Sequence, residues 1–121
     1  MLQHSGLTLA YLGDALYDLL VREQLIAQGE TKVDVLHNRA IQYTSASGQH
    51  QAYRLIEPHL TEEEQTIFKR GRNAKTQRKA KNQDLSDYRQ ATGLEALFGY
   101  LYLDNQIERI DELMTMIMED Q

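Results

Sequence analysis

Apolar residues recur every three or four positions along almost the whole chain, and no stretch alternates apolar with polar over a convincing length. The pattern predicts an all-α fold. A first helix is expected from about Leu7 to Ala27, ending at Gly29, a residue suited to the left-handed backbone that follows many helices. Its densest apolar stripe, Leu12, Leu16, Leu19 and Leu20, marks the expected core face. Helices are also predicted from about Lys32 to Tyr43 and from about Ser45 to Glu57. Ser45 acts as a cap and Pro58 as a stop, while Gly48 blurs the break between them. Thr61-Glu-Glu-Glu64 has the form of a capping box; it opens a short helix whose acidic start and Lys69-Arg70 end complement the helix dipole, with Gly71 expected to close it. Residues 71 to 84 are polar and aperiodic, which predicts a loop or a short, weak helix. A second strongly apolar helix is expected from about Ser86 to Leu103, followed by Asp104-Asn105 as a turn. A last helix from about Ile107 to Glu119 has Ile110, Leu113, Met114 and Ile117 on one face.

The first helix and the Ser86 to Leu103 helix are apolar on nearly every side, yet each carries a carboxylate near the middle of its apolar run, Asp14 and Glu95. An ionised carboxylate in an apolar interior is expensive unless it is paired, neutralised or bound to a cation. Gly13 precedes one of them, and Gly93 and Gly99 flank the other. Glycine inside a helix costs about 1 kcal/mol relative to alanine. Close approach of the two helices near Gly13 and Gly93 would offset that and bring Asp14 beside Glu95. Repulsion between them then calls for a shared proton or cation. The alternative is ordinary ion pairing with Arg22, Arg39 or Arg89. Asp18, one turn beyond Asp14, is expected at the helix surface, with an outer ligand role as the other option.

Composition narrows the chemistry. A chain of 121 residues suits one domain with its own core. The lack of cysteine removes thiol catalysis, disulfides and thiolate-bound zinc and fits a reducing compartment. No secretory signal and no membrane-spanning apolar run are recognisable, so a cytoplasmic protein is expected. His4, His37, His50 and His59 show no paired ligand spacing, so any metal would need oxygen ligands, which favours a hard cation such as magnesium. Tyr11, Tyr17, Tyr100 and Tyr102 are expected in the core or at an interface rather than in catalysis, and Ser5 and Ser47 lack an activating base.

The net charge of −5 conceals an uneven distribution. Seven of the thirteen basic residues, Lys69, Arg70, Arg72, Lys75, Arg78, Lys79 and Lys81, lie in residues 69 to 83 with no acid among them. That segment is +7, and the rest of the chain, six basic against eighteen acidic residues, is −12. A local cluster of this density is suited to nucleic-acid phosphates despite the acidic average. Asn73, Gln77 and Asn82 add hydrogen-bonding groups. No aromatic residue occurs between Lys69 and Leu85, which disfavours stacking on single strands and favours contact with a duplex backbone.

Four segments together resemble the Mini-ribonuclease III family. They are Leu12-Gly13-Asp14-Ala15 with Tyr17-Asp18-Leu19, Leu36-His37-Asn38-Arg39-Ala40, Arg70-Gly71-Arg72-Asn73-Ala74-Lys75, and Tyr88 through Leu103, which contains Gly93-Leu94-Glu95-Ala96-Leu97-Phe98-Gly99. Their order and spacing cover nearly the whole chain. The resemblance implies that residues 1–121 form a single all-α ribonuclease III-like catalytic domain without an appended double-stranded-RNA-binding domain, acting as a homodimer. It also implies magnesium-dependent hydrolysis of double-stranded RNA to 5′-phosphate and 3′-hydroxyl ends, and a role in maturing precursor 23S ribosomal RNA. By position, Asp14 and Glu95 match the family's catalytic metal-binding carboxylates. Arg70, Arg72, Asn73, Lys75, Arg78, Lys79 and Lys81 are the expected RNA contacts. Two further carboxylates of full-size ribonuclease III enzymes fall at Ala10 and Thr92 here, so half of that acidic cluster is replaced.

Overall fold

A computed structural model describes residues 4–74 and 85–119. Among them are six α-helices and no strand: α1 (Gly6–Ala27), α2 (Val33–Thr44), α3 (Ala46–Ile56), α4 (Glu62–Arg72), α5 (Leu85–Leu103) and α6 (Ile107–Glu119), with a 3-10 turn at Glu57–His59. The all-α expectation holds, and the helix boundaries fall within a residue or two of those predicted. Local chemistry sets them. Ser5 Oγ accepts from the Thr8 amide at 3.1 Å and Ser45 Oγ from the Gly48 amide at 3.1 Å. At the start of α4, Thr61 Oγ1 accepts from the Glu64 amide while Glu64 Oε1 accepts from the Thr61 amide at 2.9 Å, the reciprocal box the sequence predicts. Gly29 follows α1 at φ 107°, with open space around it.

α5 is the hub. It packs most extensively against α1 and α4, and also against α3 and α6, which is why its sequence is apolar on every side. Leu94, Ala96, Leu97, Phe98 and Leu101 are fully enclosed. Each large side chain so buried contributes about 1.5–3 kcal/mol. Tyr17 packs its ring against Phe98 at 5.6 Å, and Tyr53 stacks on Phe68 at 3.8 Å. Ile110, Leu113, Met114 and Ile117 of α6 close the core as expected.

Three expectations need correction. The buried stripe of α1 is Leu9, Gly13, Tyr17, Val21 and Leu25; Leu12, Leu16 and Leu20 are only partly covered and Leu19 is 60% exposed. Both faces of α1 are apolar, and only the placement of α5 decides which one is core. Gly71 does not end α4, which continues to Arg72. A Cβ on Gly71 would lie 2.6 Å from Ala96 Cβ and 2.9 Å from the Thr92 carbonyl oxygen, so this glycine lets α4 dock on α5. The close approach of α1 to α5 runs through Gly13 and Gly99 instead of Gly93, which accommodates the Phe68 ring of α4.

An ion pair not foreseen from the sequence joins α4 to α6. The Arg109 guanidinium donates to both oxygens of the buried Glu64 carboxylate, at 2.8 and 2.9 Å, and to the His59 carbonyl at 2.7 Å. Burial alone would raise the Glu64 pKa, but these hydrogen bonds and the Thr61 amide hold it below the usual carboxylate value.

Candidate active site

The site follows from one helix crossing. A Cβ on Gly13 would sit 1.6 Å from the Glu95 carbonyl oxygen, and one on Gly99 would sit 2.0 Å from the Leu9 carbonyl oxygen. Backbone therefore rests on backbone, a distance only glycine permits. The crossing places Asp14, the residue after Gly13, within hydrogen-bonding reach of Glu95. Their side chains come from opposite ends of the chain and meet where α1 and α5 touch.

The pair is less buried than its apolar sequence context suggests. Asp14 is exposed and Glu95 is half-buried, so the site opens to solvent instead of lying inside the core. Glu95 is nevertheless held well above the ordinary carboxylate range, first by burial, then by the charge of Asp14 and a hydrogen bond to it; Gln49 opposes the rise. Among the described residues no Lys or Arg forms a salt bridge with either carboxylate. Arg22 instead pairs with Asp18 at 3.1 Å, which places Asp18 at the surface, and Arg39 donates to Gln28.

Two residues behind the pair escaped the sequence reading as functional. Gln49 of α3, 4% exposed, donates from Nε2 to Glu95 Oε2 at 3.1 Å and to the Thr44 carbonyl at 3.0 Å. Tyr17 is a core residue, as expected, but its hydroxyl also donates to the Tyr43 carbonyl at 3.1 Å. Both side chains are anchored at the corner between α2 and α3, where Gly48 lets the chain pass close to the Gln42 carbonyl. Nothing in the sequence around Gln49 distinguishes it from the other polar residues of α3. Beyond it, His50 Nδ1 lies 2.5 Å from Asp87 Oδ1, two turns before Glu95 on α5.

The donor set suits a hard cation. Two carboxylates supply oxygen ligands and carry charges that need neutralising, and the buried Gln49 Oε1 has no hydrogen-bond partner in the protein. Among the described residues no third His, Asp or Glu joins the pair. Ala10 is buried, and the Thr92 hydroxyl is turned to the Tyr88 carbonyl of its own helix at 3.0 Å. A cation here would keep several waters and have room for a substrate phosphate, a mode natural to magnesium.

The expected RNA contacts divide into two groups. Arg70 and Asn73 are exposed and Arg72 half-buried at the end of α4; Arg70 donates to the His4 carbonyl at 3.3 Å and Arg72 to Asn73 Oδ1 at 3.2 Å. Lys75, Arg78, Lys79 and Lys81 lie outside the described residues. Because Gly71 rests on Thr92, Gly93 and Ala96, the basic segment starts beside the turn of α5 that carries Glu95.

The ribonuclease III domain family model matches residues 7–106. The chain belongs to the ribonuclease III family. Within it, the chain is 49% identical over 114 residues to a Mini-ribonuclease 3 of Enterococcus faecalis, covering 93% of this chain and 86% of that one. It is 51% identical over 108 residues to the Mini-ribonuclease 3 of Brevibacillus brevis, covering 89% and 81%. A crystal structure of a Fusobacterium nucleatum protein superposes with a TM-score of 0.85 at 31% identity, covering 98% of this chain and 94% of the other. The protein is thus an endoribonuclease of a family that acts on double-stranded RNA and depends on divalent metal. No helix among the described residues is long and apolar enough to cross a membrane.

Proposed function

We propose that the protein is a magnesium-dependent, homodimeric endoribonuclease of the cytoplasm that trims duplex ends of precursor 23S ribosomal RNA, with Asp14 and Glu95 as its catalytic metal-binding residues. The observation that carries this reading is the Gly13–Gly99 crossing, which sets two carboxylates side by side at an open surface next to a basic segment. Asp14 and Glu95 would hold the ion by one oxygen or more each. Bound there, magnesium supplies Lewis-acid polarisation of the scissile phosphate and lowers the pKa of the attacking water. The residues do the rest. The carboxylates would fix the position of the ion that meets the reacting phosphate, and Arg70, Arg72 and Asn73, with Lys75, Arg78, Lys79 and Lys81, hold the flanking duplex by its backbone. A-form RNA is read largely through shape, phosphates and 2′-hydroxyls, which suits a basic segment without aromatics.

A dimer doubles that grip and provides one site for each strand. α1 offers a surface for it. Tyr11 is 85% exposed, and Leu7, Leu19 and Ile26 are 42, 60 and 57% exposed on the same helix, so this helix leaves several large apolar side chains in water. Replacing Tyr11 by Asp should convert dimer to monomer in sedimentation velocity; an unchanged dimer would move the interface elsewhere.

The catalytic assignment is tested by incubating duplex RNA with the protein with and without magnesium, beside Asp14→Asn and Glu95→Gln. Expected are magnesium-dependent cuts leaving 5′-phosphate and 3′-hydroxyl ends, and a loss of about 10²–10³-fold in rate for Asp14→Asn, the range seen when essential charge stabilisation is removed. Cleavage that survives metal removal or either substitution would reject the assignment. Accumulation of unprocessed 23S precursor in cells lacking the protein, restored by the native chain and not by Asp14→Asn, tests the physiological role.

A further inference from the structure

We infer that Gln49 is a positioning residue of the carboxylate pair: its amide NH2 group fixes Glu95 from inside the fold, in the orientation that would hold a divalent cation with Asp14. The inference rests on the metal-binding reading of those two residues. Its geometry is set by what surrounds the amide. Nε2 reaches the Thr44 carbonyl at 3.0 Å and Glu95 Oε2 at 3.1 Å; the carbonyl can only accept, as does the Glu95 carboxylate once a cation has displaced its proton. The NH2 group must therefore face them, which turns the carbonyl the other way. That orientation uses both donor hydrogens and leaves Oε1 buried with no protein donor.

An apolar side chain of the same length would fill the space without burying an unused acceptor. The amide is instead explained by its donors, which hold Glu95 Oε2 and the Thr44 carbonyl at once. The amide is also rigidly mounted. Gln49 lies in the first turn of α3, its backbone amide bonds the Ser45 carbonyl at 2.8 Å, and its side chain ties down the Thr44 carbonyl at the end of α2. Metal-binding carboxylates commonly depend on such outer hydrogen bonds for orientation, and losing one typically weakens metal binding 10- to 100-fold.

The bland alternative is that Gln49 merely ties α3 to the end of α2. Magnesium binding by the full chain, measured calorimetrically without RNA, separates the two, together with thermal unfolding and cleavage kinetics for the native protein, Gln49→Met and Asp14→Asn. Gln49→Met should raise the magnesium Kd by 10- to 100-fold. It should also lower kcat at limiting magnesium, recover part of that loss when magnesium is raised, and leave the KM for RNA unchanged. A folded Gln49→Met that binds magnesium like the native protein overturns the inference while leaving the site itself standing. If the native protein binds no magnesium, or if Asp14→Asn binds and cleaves normally, the site reading falls and the inference with it. Should Gln49→Met fail to fold, the side-chain amide resonances of Gln49 in the native 15N-labelled protein decide. They should shift with the calorimetric midpoint as magnesium is added, and resonances that do not move overturn the role.

Discussion

Replacing Gly13 by Ala tests whether the helix crossing makes the active site. The added methyl would lie 1.6 Å from the Glu95 carbonyl oxygen, 2.5 Å from the carbon that bears it and 2.9 Å from the Gly99 nitrogen. Ordinary contact begins at 3.4 Å, so α1 and α5 must part locally by the difference from 1.6 Å, or 1.8 Å. The blocking atoms are backbone, locked in helical hydrogen bonds, and cannot swing aside as a side chain would. Alanine returns about 1 kcal/mol through helix propensity, against an overpacking cost at or above the upper end of the usual 1–3 kcal/mol. The net loss should be about 2–4 kcal/mol. For a chain of this size that lowers Tm by about 10 °C.

The effect on cleavage should be larger than stability explains, because the parted segments carry Asp14 and Glu95 themselves. Displacement of reacting groups by 1 Å is worth about 10²-fold in rate. Single-turnover cleavage of duplex RNA, at a temperature where circular dichroism shows Gly13→Ala folded, should therefore fall at least that far. Gly29→Ala is the contrast: no atom lies within 4 Å, but φ 107° strains any other residue. It should lose about 1–2 kcal/mol of stability with native cleavage by the remaining folded protein. Native Tm and native rate for Gly13→Ala would refute the backbone crossing as the origin of the site.

Arg109→Met should destabilise the fold by about 3–5 kcal/mol, since it strands the buried Glu64 carboxylate; adding Glu64→Gln should recover part of that loss in urea unfolding. The metal-free protein should lose stability as pH rises. Glu95 is raised from 4.5 to about 8 in the fold, so its stabilising contribution is full below 4.5 and disappears as pH climbs through about 8. Tm measured across that window should fall in chelator, and Glu95→Gln or saturating magnesium should flatten the slope. Neutralising Arg72, Lys75 and Lys79 together should raise the Kd for duplex RNA and reduce the slope of log K against log salt by roughly 2–3; an unchanged slope would remove the basic segment from the interface.

Local chemistry made the elements legible. The capping oxygens of Ser45 and Thr61 act on amides three residues away, so these helix starts can be read from neighbouring letters, as the Ser5 cap, not foreseen, could also have been. The apolar completeness of residues 91 to 103 likewise identifies a helix enclosed by others, and the acid-free run from 69 to 83 identifies a cationic segment. The juxtaposition of Asp14 with Glu95 was also foreseeable, through the cost of glycine within a helix, although its facing glycine proved to be Gly99 rather than Gly93.

Other features belong to the tertiary structure alone. α1 has apolar residues on two sides, and its own periodicity cannot say whether Leu9, Tyr17 and Val21 or Leu7, Tyr11 and Leu19 face inward; contact with α5 selects the first set and leaves the second in solvent. The same choice exposes Asp14 while half-burying Glu95. Gln49 and Arg109 acquire their roles only because distant carboxylates arrive beside them, at sequence separations of 46 and 45 residues. Helix formation is governed by interactions within a few residues, so the chain itself specifies it. The depth of a carboxylate and the partner of a buried amide depend on which surfaces exclude water from one another, and that is settled only when the helices pack.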